Sequence, residues 1–481
     1  MADRPSGDGD RPARDAEGNR LGRRLQRYAQ VGGGMSGVAA RLVGNRLFGD
    51  RLNESTAREL REALGGMKGP IMKIAQLLSS IPEAVPKEFA EELSQLQSSA
   101  PPMGWPFVKR RMRAELGADW QSHFKSFERD AAFAASLGQV HRAVAPDGRE
   151  VVSKLQYPDM QSAVEADLSQ LRVLLQIFRR VDSAIDTREI YQELSERLRE
   201  ELDYEREAAH MRLYDLIFEA DPRIIVPAPV PELSTKRLLT MTRLDGEPIL
   251  SFRDHPLEDR NEIARSMFAA WWHPFARYGV IHGDPHLGNY TVRTQDDVPT
   301  QSSTNKSNTN KSGASESGWA INLLDYGCIR IFPPAFVAGV IELYHAIAAD
   351  DRDRAAAAYE RWGFTGLNNE MIDTLNIWAK FIYGPLLDDR VRSIADGVSP
   401  AEYGRKEAYR VHQALKELGP VTPPREFVFM DRAAIGLGAV FLHLDAELNF
   451  HEMFMEAIEG FDVAALATRQ REALDAAGVP A

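Results

Sequence analysis

Ten residues at 280–289, "VIHGDPHLGN", combine an apolar pair with two histidines, an aspartate, an asparagine and two glycines. Asp284 stands five positions before Asn289, and "LLDYG" at 323–327 supplies another carboxylate, Asp325, at the end of an apolar run. In phosphoryl transfer one carboxylate orients or deprotonates the acceptor, while an amide and a second carboxylate hold Mg²⁺ on the triphosphate. An H-x-D-x-x-x-x-N spacing followed by D-x-G meets that need, and its hard oxygen donors suit Mg²⁺ rather than zinc. His282 and His286 are four apart, but the proline between them and Gly288 exclude a helical zinc pair. His282 reads instead as a structural histidine supporting the loop.

Triphosphate chemistry also needs a fixed cation. Lys154 closes the strand "VVSK", just past an Asp147-Gly148 hairpin signal. A lysine there can reach the α and β phosphates, provided a carboxylate holds it. Upstream, "AAFAASLGQVH" at 131–141 is a run of small residues that would let backbone amides approach phosphate. The acidic helix "REELDYEREAAH" at 199–210 supplies carboxylates. Asp203 and Glu207 are four apart and share a face, with Glu201 turned away from Glu207. Spacing alone leaves Glu193, Glu200, Glu201, Asp203 and Glu207 all open as the partner of Lys154.

The elements that must position these groups are legible in the periodicity. Leu60, Leu64, Met67, Ile71, Ile74, Leu77 and Leu78 have helical spacing, and Pro86 opens another helix that ends before Pro101 and Pro102. Alternation around Asp147-Gly148 predicts two strands, helices follow over 159–218, and "RIIVPAPVPEL" and "KRLLTMTRLDG" read as two more strands. A long helix over 257–279 leads into the opening motif, and the pattern from Pro334 onward is helical. Residues 297–318, rich in Ser, Asn and Lys, read as a disordered insertion between two strands. The expected organisation is a disordered tail at 1–19, a basic Gly-rich segment at 20–52 and a helical extension at 53–118. An N-lobe at 119–244 and a helical C-lobe at 245–481 complete it.

Bulk properties narrow the function classes. The chain has 481 residues, 44% of them hydrophobic and 27% charged, as in soluble globular proteins. A net charge of −12 argues against nucleic-acid binding. Cys328, the one cysteine, can form no internal disulfide, which points to a reducing compartment. No run of apolar residues is long enough to span a membrane. The first residues lack the apolar core of a secretory signal and are too acidic for a mitochondrial presequence. Seven arginines between 20 and 51 read as a flexible basic linker, whose charge would also suit anionic lipid.

The order of small-residue hairpin, strand lysine, acidic helix, two strands, helix, D-x-x-x-x-N and D-Y-G is that of a protein-kinase fold. The chain resembles the ABC1/ADCK/UbiB (AarF-type) family of atypical, protein-kinase-like proteins. Its motifs are "KIAQ" at 73–76, "AAS" at 134–136, "ELDYEREA" at 201–208, "HGDPHLGN" at 282–289 and "DYG" at 325–327. The resemblance implies an α+β, two-lobe fold with an N-terminal helical extension and a mostly helical C-terminal lobe. By the same resemblance ATP and Mg²⁺ are the cofactors, Lys154 and Glu207 form the nucleotide-aligning ion pair, and Ala134, Ala135 and Ser136 cover the phosphates. Asn289 and Asp325 hold the metal, Asp284 occupies the catalytic-base position, and Met241 to Leu244 form the hinge. Lys73 and Gln76 reach into the site, with Glu201 and Asp203 as polar neighbours.

The family is linked to ubiquinone and related isoprenoid-lipid biosynthesis, so the implied partners are isoprenoid or quinone precursors and the enzymes that process them. A cytoplasmic protein peripheral at the inner face of a membrane is the implied location. Ala75 replaces the glycine of K-x-G-Q, and Tyr326 replaces the phenylalanine of D-F-G, adding a hydroxyl that needs a partner if buried. Two rival readings are a small-molecule phosphotransferase of the aminoglycoside or choline kinase type and a non-catalytic, nucleotide-gated lipid- or partner-binding protein. "KIAQ" and "AAS" count against the first, and the intact Asp284, Asn289 and Asp325 against the second.

Overall fold

In the computed structural model, which describes residues 102–134, 137–179, 187–294, 318–395 and 425–480, the first element is α1 (Trp105–Leu116). The expected tail, basic segment and most of the helical extension, with Lys73, Ala75 and Gln76, lie outside the described residues, as do Ala135, Ser136 and residues 295–317. Pro106 sits in the first turn of α1, where its missing N–H is harmless. The helix buries Phe107, Val108 and Met112 against Trp120, Phe124, Val151 and Leu155. The end of the region assigned to the extension is thus part of the N-lobe core.

That core lies on one face of a five-stranded antiparallel sheet. Its strands are β1 (Ser126–Phe127), β2 (Phe133–Ala134), β3 (Gly138–Val144), β4 (Glu150–Gln156) and, after three helices and a short strand, the strand Leu238–Thr242. Gly148 turns the β3–β4 hairpin at φ +93, a conformation open to glycine, and Asp147 Oδ1 accepts the Arg149 N–H at 3.0 Å. Three helices follow: α2 (Met160–Arg179), α3 (Thr187–Glu200) and α4 (Tyr204–Phe218).

The stretch "RIIVPAPVPEL" departs from its expected strand. Only β5 (Ile224–Ile225) is ladder, and it pairs in parallel with a strand of the other lobe. Pro227, Pro229 and Pro231 carry no N–H, so 226–230 joins no ladder beyond a bridge from Pro229 to Met241, and Pro231–Leu233 is one short 3-10 turn. The strand Leu238–Thr242 is β6. Beyond it the chain crosses to the C-lobe at Asp245-Gly246. A side chain on Gly246 would meet Thr291 Oγ1 at 2.7 Å and Asn322 Nδ2 at 2.8 Å, so glycine lets the crossing lie against the lower sheet.

The C-lobe opens with β7 (Glu247–Pro248) and α5 (Leu257–Tyr278), which Gly279 ends at φ +65. β8 (Val280–His282), β9 (Tyr290–Thr294), β10 (Trp319–Leu323) and β11 (Ile329–Ile331) follow. They form a β5-β10-β9-β7 sheet and a β11-β8 pair. Helices α6 (Pro334–Ala348), α7 (Arg352–Trp362), α8 (Asn369–Leu387), α9 (Arg425–Leu444), α10 (Phe450–Ile458) and α11 (Val463–Ala477) complete the lobe. One apolar core joins them to α4 and α5. This is the α+β, two-lobe arrangement that the sequence predicts. Among the described residues no helix is long and apolar enough to cross a membrane.

His141 makes the N-lobe sensitive to acid. The ring is fully buried, Nδ1 donates to the Glu128 carbonyl at 3.0 Å and Nε2 accepts from the Gln139 amide at 2.8 Å. Burial lowers its pKa below the ordinary 6.5. Below about pH 6.5 the unfolded chain therefore takes up a proton that the folded chain refuses, and stability falls as pH falls. Urea unfolding at pH 7.5 and 5.5 is expected to show this loss, and to show less of it in His141→Gln. An equal loss in both proteins would mean that His141 is not the sensitive group.

Candidate active site

Alternation along β4 sends Val151, Ser153 and Leu155 toward α1, and Lys154 to the opposite face. That face meets α4. Asp203 caps the helix, its carboxylate accepting the Arg206 N–H at 3.1 Å, and Tyr204, Glu207, His210 and Met211 lie on its buried side. Lys154 Nζ reaches both Glu207 oxygens, at 2.7 and 3.0 Å. Asp325 Oδ2 stands 3.9 Å from the same nitrogen, and the Tyr204 ring lies 5.2 Å away as a cation–π partner. Burial works to lower the lysine pKa, but Asp325 and Glu207 outweigh it and hold the group well above its ordinary range. Lys154 is a cation fixed on three sides.

The five acids left open by spacing separate clearly. Glu207 takes Lys154. Glu200 pairs with Arg330 at 2.8 Å and Arg206 at 3.0 Å. Glu201 lies beside the D-Y-G turn, with Oε1 3.8 Å from Cys328 Sγ. Glu193 is on α3. The four-residue spacing predicts a face shared by Asp203 and Glu207; instead the helix starts only at Tyr204, and the Asp203 carboxylate folds back as its cap.

The opening motif begins in the core and ends at the cleft. Val280 and Ile281 are fully buried in β8. A side chain on Gly283 would lie 2.7 Å from the Cys328 carbonyl, so only glycine permits this approach of the two turns. His282 spans them: Nδ1 accepts the Asp284 N–H at 3.3 Å, which leaves the ring proton on Nε2 to donate to the Asp325 carbonyl at 2.6 Å. Asn289 Nδ2 donates to the Asp284 carbonyl at 3.0 Å, leaving Oδ1 as the amide's acceptor. An amide oxygen and the half-exposed Asp325 carboxylate are a donor set that fits a hard divalent cation. Tyr326 is fully buried, and its added hydroxyl donates to the Leu323 carbonyl at 3.1 Å.

Lys154, Glu207 and Asp325 thus meet where β4 and α4 face the D-Y-G turn, and His282 ties that turn to the loop carrying Asp284 and Asn289. Met241 is buried on β6 and Leu244 lies on the crossing beyond it, while Ala134 ends β2 opposite Gln139. Two residues of the site escaped the sequence reading, Tyr204 and His210. Each stands three positions from Glu207, so a face count around that residue would have found them.

Fold and cleft together define a protein-kinase-like architecture. Residues 95–359 match the family described as ABC1 atypical kinase-like domain, and the chain belongs to that family. Over 328 residues it is 29% identical to "Atypical kinase COQ8, mitochondrial" of Saccharomyces cerevisiae, covering 68% of this chain and 61% of the yeast protein. Its identity to "Atypical kinase COQ8B, mitochondrial" of Danio rerio is 25%, covering 87% of this chain and 63% of that one. The chain therefore spans less than two thirds of the length of either relative. Among solved structures it resembles the Rv3197–erythromycin complex of Mycobacterium tuberculosis, at a TM-score of 0.55 and 26% identity, covering 88% of this chain and 99% of that one.

A buried ion pair is costly to break from one side, because the remaining charge is left without its partner. Glu207→Ala and Lys154→Met are each expected to cost about 3 kcal/mol. The double substitution should cost clearly less than the sum of the two. Urea unfolding of the four proteins measures the coupling, and simple additivity would mean the pair is not linked energetically.

Proposed function

We propose that this chain is an ATP- and Mg²⁺-dependent atypical kinase or ATPase supporting the biosynthesis of ubiquinone or a related isoprenoid lipid. The observation that carries the reading is the clamped Lys154, 2.7 Å from Glu207 and 3.9 Å from Asp325, above a loop that presents Asp284 and Asn289. Lys154 binds the α and β phosphates, and Glu207 keeps it from swinging to solvent. Asn289 and Asp325 hold Mg²⁺, which supplies charge neutralisation on the triphosphate when bound. Asp284 takes or orients the proton of the attacking hydroxyl or water. The A-A-S motif of Ala134, Ala135 and Ser136 is assigned to cover the phosphates, and the stretch from Met241 to Leu244 to face the base. Lys73 and Gln76 of the KIAQ motif are assigned to the same site by the family resemblance, with Glu201 and Asp203 as their polar partners.

The biosynthetic role is supported by the names of the yeast and zebrafish relatives, together with the family resemblance. Quinone precursors and isoprenoid lipids are the proposed partners, met at a membrane surface to which the basic 20–52 segment is drawn by charge. Phosphate release from ATP with Mg²⁺ tests the reading, with and without anionic liposomes and a quinone-precursor-like phenol. Release that rises with lipid or phenol, and falls about 100-fold or more in Asp284→Asn, is expected. Equal turnover in that variant would remove Asp284 from its role. Lys154→Ala should weaken ATP binding, and an unaltered nucleotide titration would overturn the assignment of the lysine. Tight binding without release in any condition would favour a nucleotide-gated scaffold.

A further inference from the structure

The backbone carbonyl of Tyr326 is bound by a side chain of α4. His210, one turn beyond Glu207 on the helix, bonds it, with Nδ1 3.0 Å from the oxygen. A carbonyl oxygen only accepts, so the ring proton is on Nδ1. Nε2 is left bare of hydrogen and meets no donor, in a residue only 1% exposed. Burying a polar atom without a partner is unfavourable, and leucine or methionine would fill the same space without that cost. What imidazole adds here is one donor aimed at one carbonyl.

The preceding carbonyl, that of Asp325, is held from the catalytic-loop side by His282 at 2.6 Å. Two histidines from different elements therefore grip successive peptide units of the D-Y-G turn. We infer that His210 is a positioning residue that locks this turn to α4, so that Asp325 faces Lys154 only while α4 keeps its place. Glu207 and His210 sit on one rigid helix, so a shift of α4 releases Lys154 and Tyr326 together. What Asp325 then does rests on the nucleotide reading above, whereas the lock itself needs no ligand.

Amide hydrogen exchange on the whole chain without nucleotide tests the lock. In His210→Leu the peptide covering 324–331 should exchange about tenfold faster than in the parent, while α6 is unchanged. His210→Asn places an amide N–H where Nδ1 lies and should restore slow exchange. His210→Gln places it near Nε2, away from the carbonyl, and should not. If the leucine variant does not fold, the asparagine–glutamine contrast carries the same test. Unchanged exchange at 324–331, or an equal rise across the whole chain, would overturn the inference and leave His210 as packing alone.

A second measurement separates this from the nucleotide reading. Mg²⁺ titrated at fixed ATP should bind about tenfold more weakly to His210→Leu, with ATP affinity in chelator unchanged. Fast exchange at 324–331 in a protein whose parent binds no Mg²⁺–ATP would sustain the lock and defeat the reading. An unaltered Mg²⁺ titration despite faster exchange would show that the lock does not govern Asp325.

Discussion

A lysine ammonium and a glutamate carboxylate taken out of water lose hydration that their mutual attraction repays only in good geometry. In this protein the geometry comes from three separate elements. β4 supplies Lys154 because strand alternation turns it away from the α1 face. α4 supplies Glu207 because its capped first turn fixes which residues point inward. The D-Y-G turn supplies Asp325, close enough to share the cation but far more exposed, at 42% against 4% for Glu207. The buried carboxylate suits a permanent partner, and the exposed one suits a ligand that comes and goes.

Most of the remaining structure holds these three elements in register. Residues of α4 lie in the same apolar core as α5 and α6, so the helix belongs to the C-lobe by packing and to the N-lobe sheet by its ion pair. The loop at 282–289 and the crossing at Gly246 are seated through the close approach of their backbones rather than through side-chain bulk. Gly283 against the Cys328 carbonyl and Gly246 against Thr291 both depend on having no Cβ. His282 adds one bond to each side of that approach, so the loop and the D-Y-G turn cannot move independently without losing it.

Local chemistry made much of this legible beforehand. Asp147-Gly148 announces a hairpin because few other pairs accept its backbone, and the helix ending at Gly279 has a residue able to turn left-handed there. The H-x-D-x-x-x-x-N spacing and the D-Y-G triplet stand out for the same reason, since each is a short run with its own geometry. Spacing alone could not single out the partner of Lys154, because it depends on how α4 lies on the sheet, 53 residues further along the chain; only the family resemblance named Glu207. Asp203 was misplaced by one ambiguity of this kind: a four-residue spacing means a shared face only inside a helix, and Asp203 is just outside it. The proline stretch after β5 looked like a strand because its apolar pattern carries no mark for missing N–H groups until the prolines are counted against a ladder.

The juxtaposition of Asn289 and Asp325 shows why a long insertion between them is tolerated. β9 and β10 pair antiparallel from Thr294–Trp319 at one end to Tyr290–Leu323 at the other. Asn289 and Asp325 flank the second end, where the Leu324 N–H donates to the Asn289 carbonyl at 3.0 Å. The segment 295–317 joins the strands at the first end, about 14 Å away at ordinary strand rise. Its length and composition therefore have no lever on the spacing of the two residues. The register does: sliding β10 by one residue would turn Leu323 and Ile321 out of the core and carry Asp325 away from Lys154. Burial of Ile321, Leu323 and Val292 fixes that register, so the hydrophobic core, not the loop, sets the distance between the two oxygen donors.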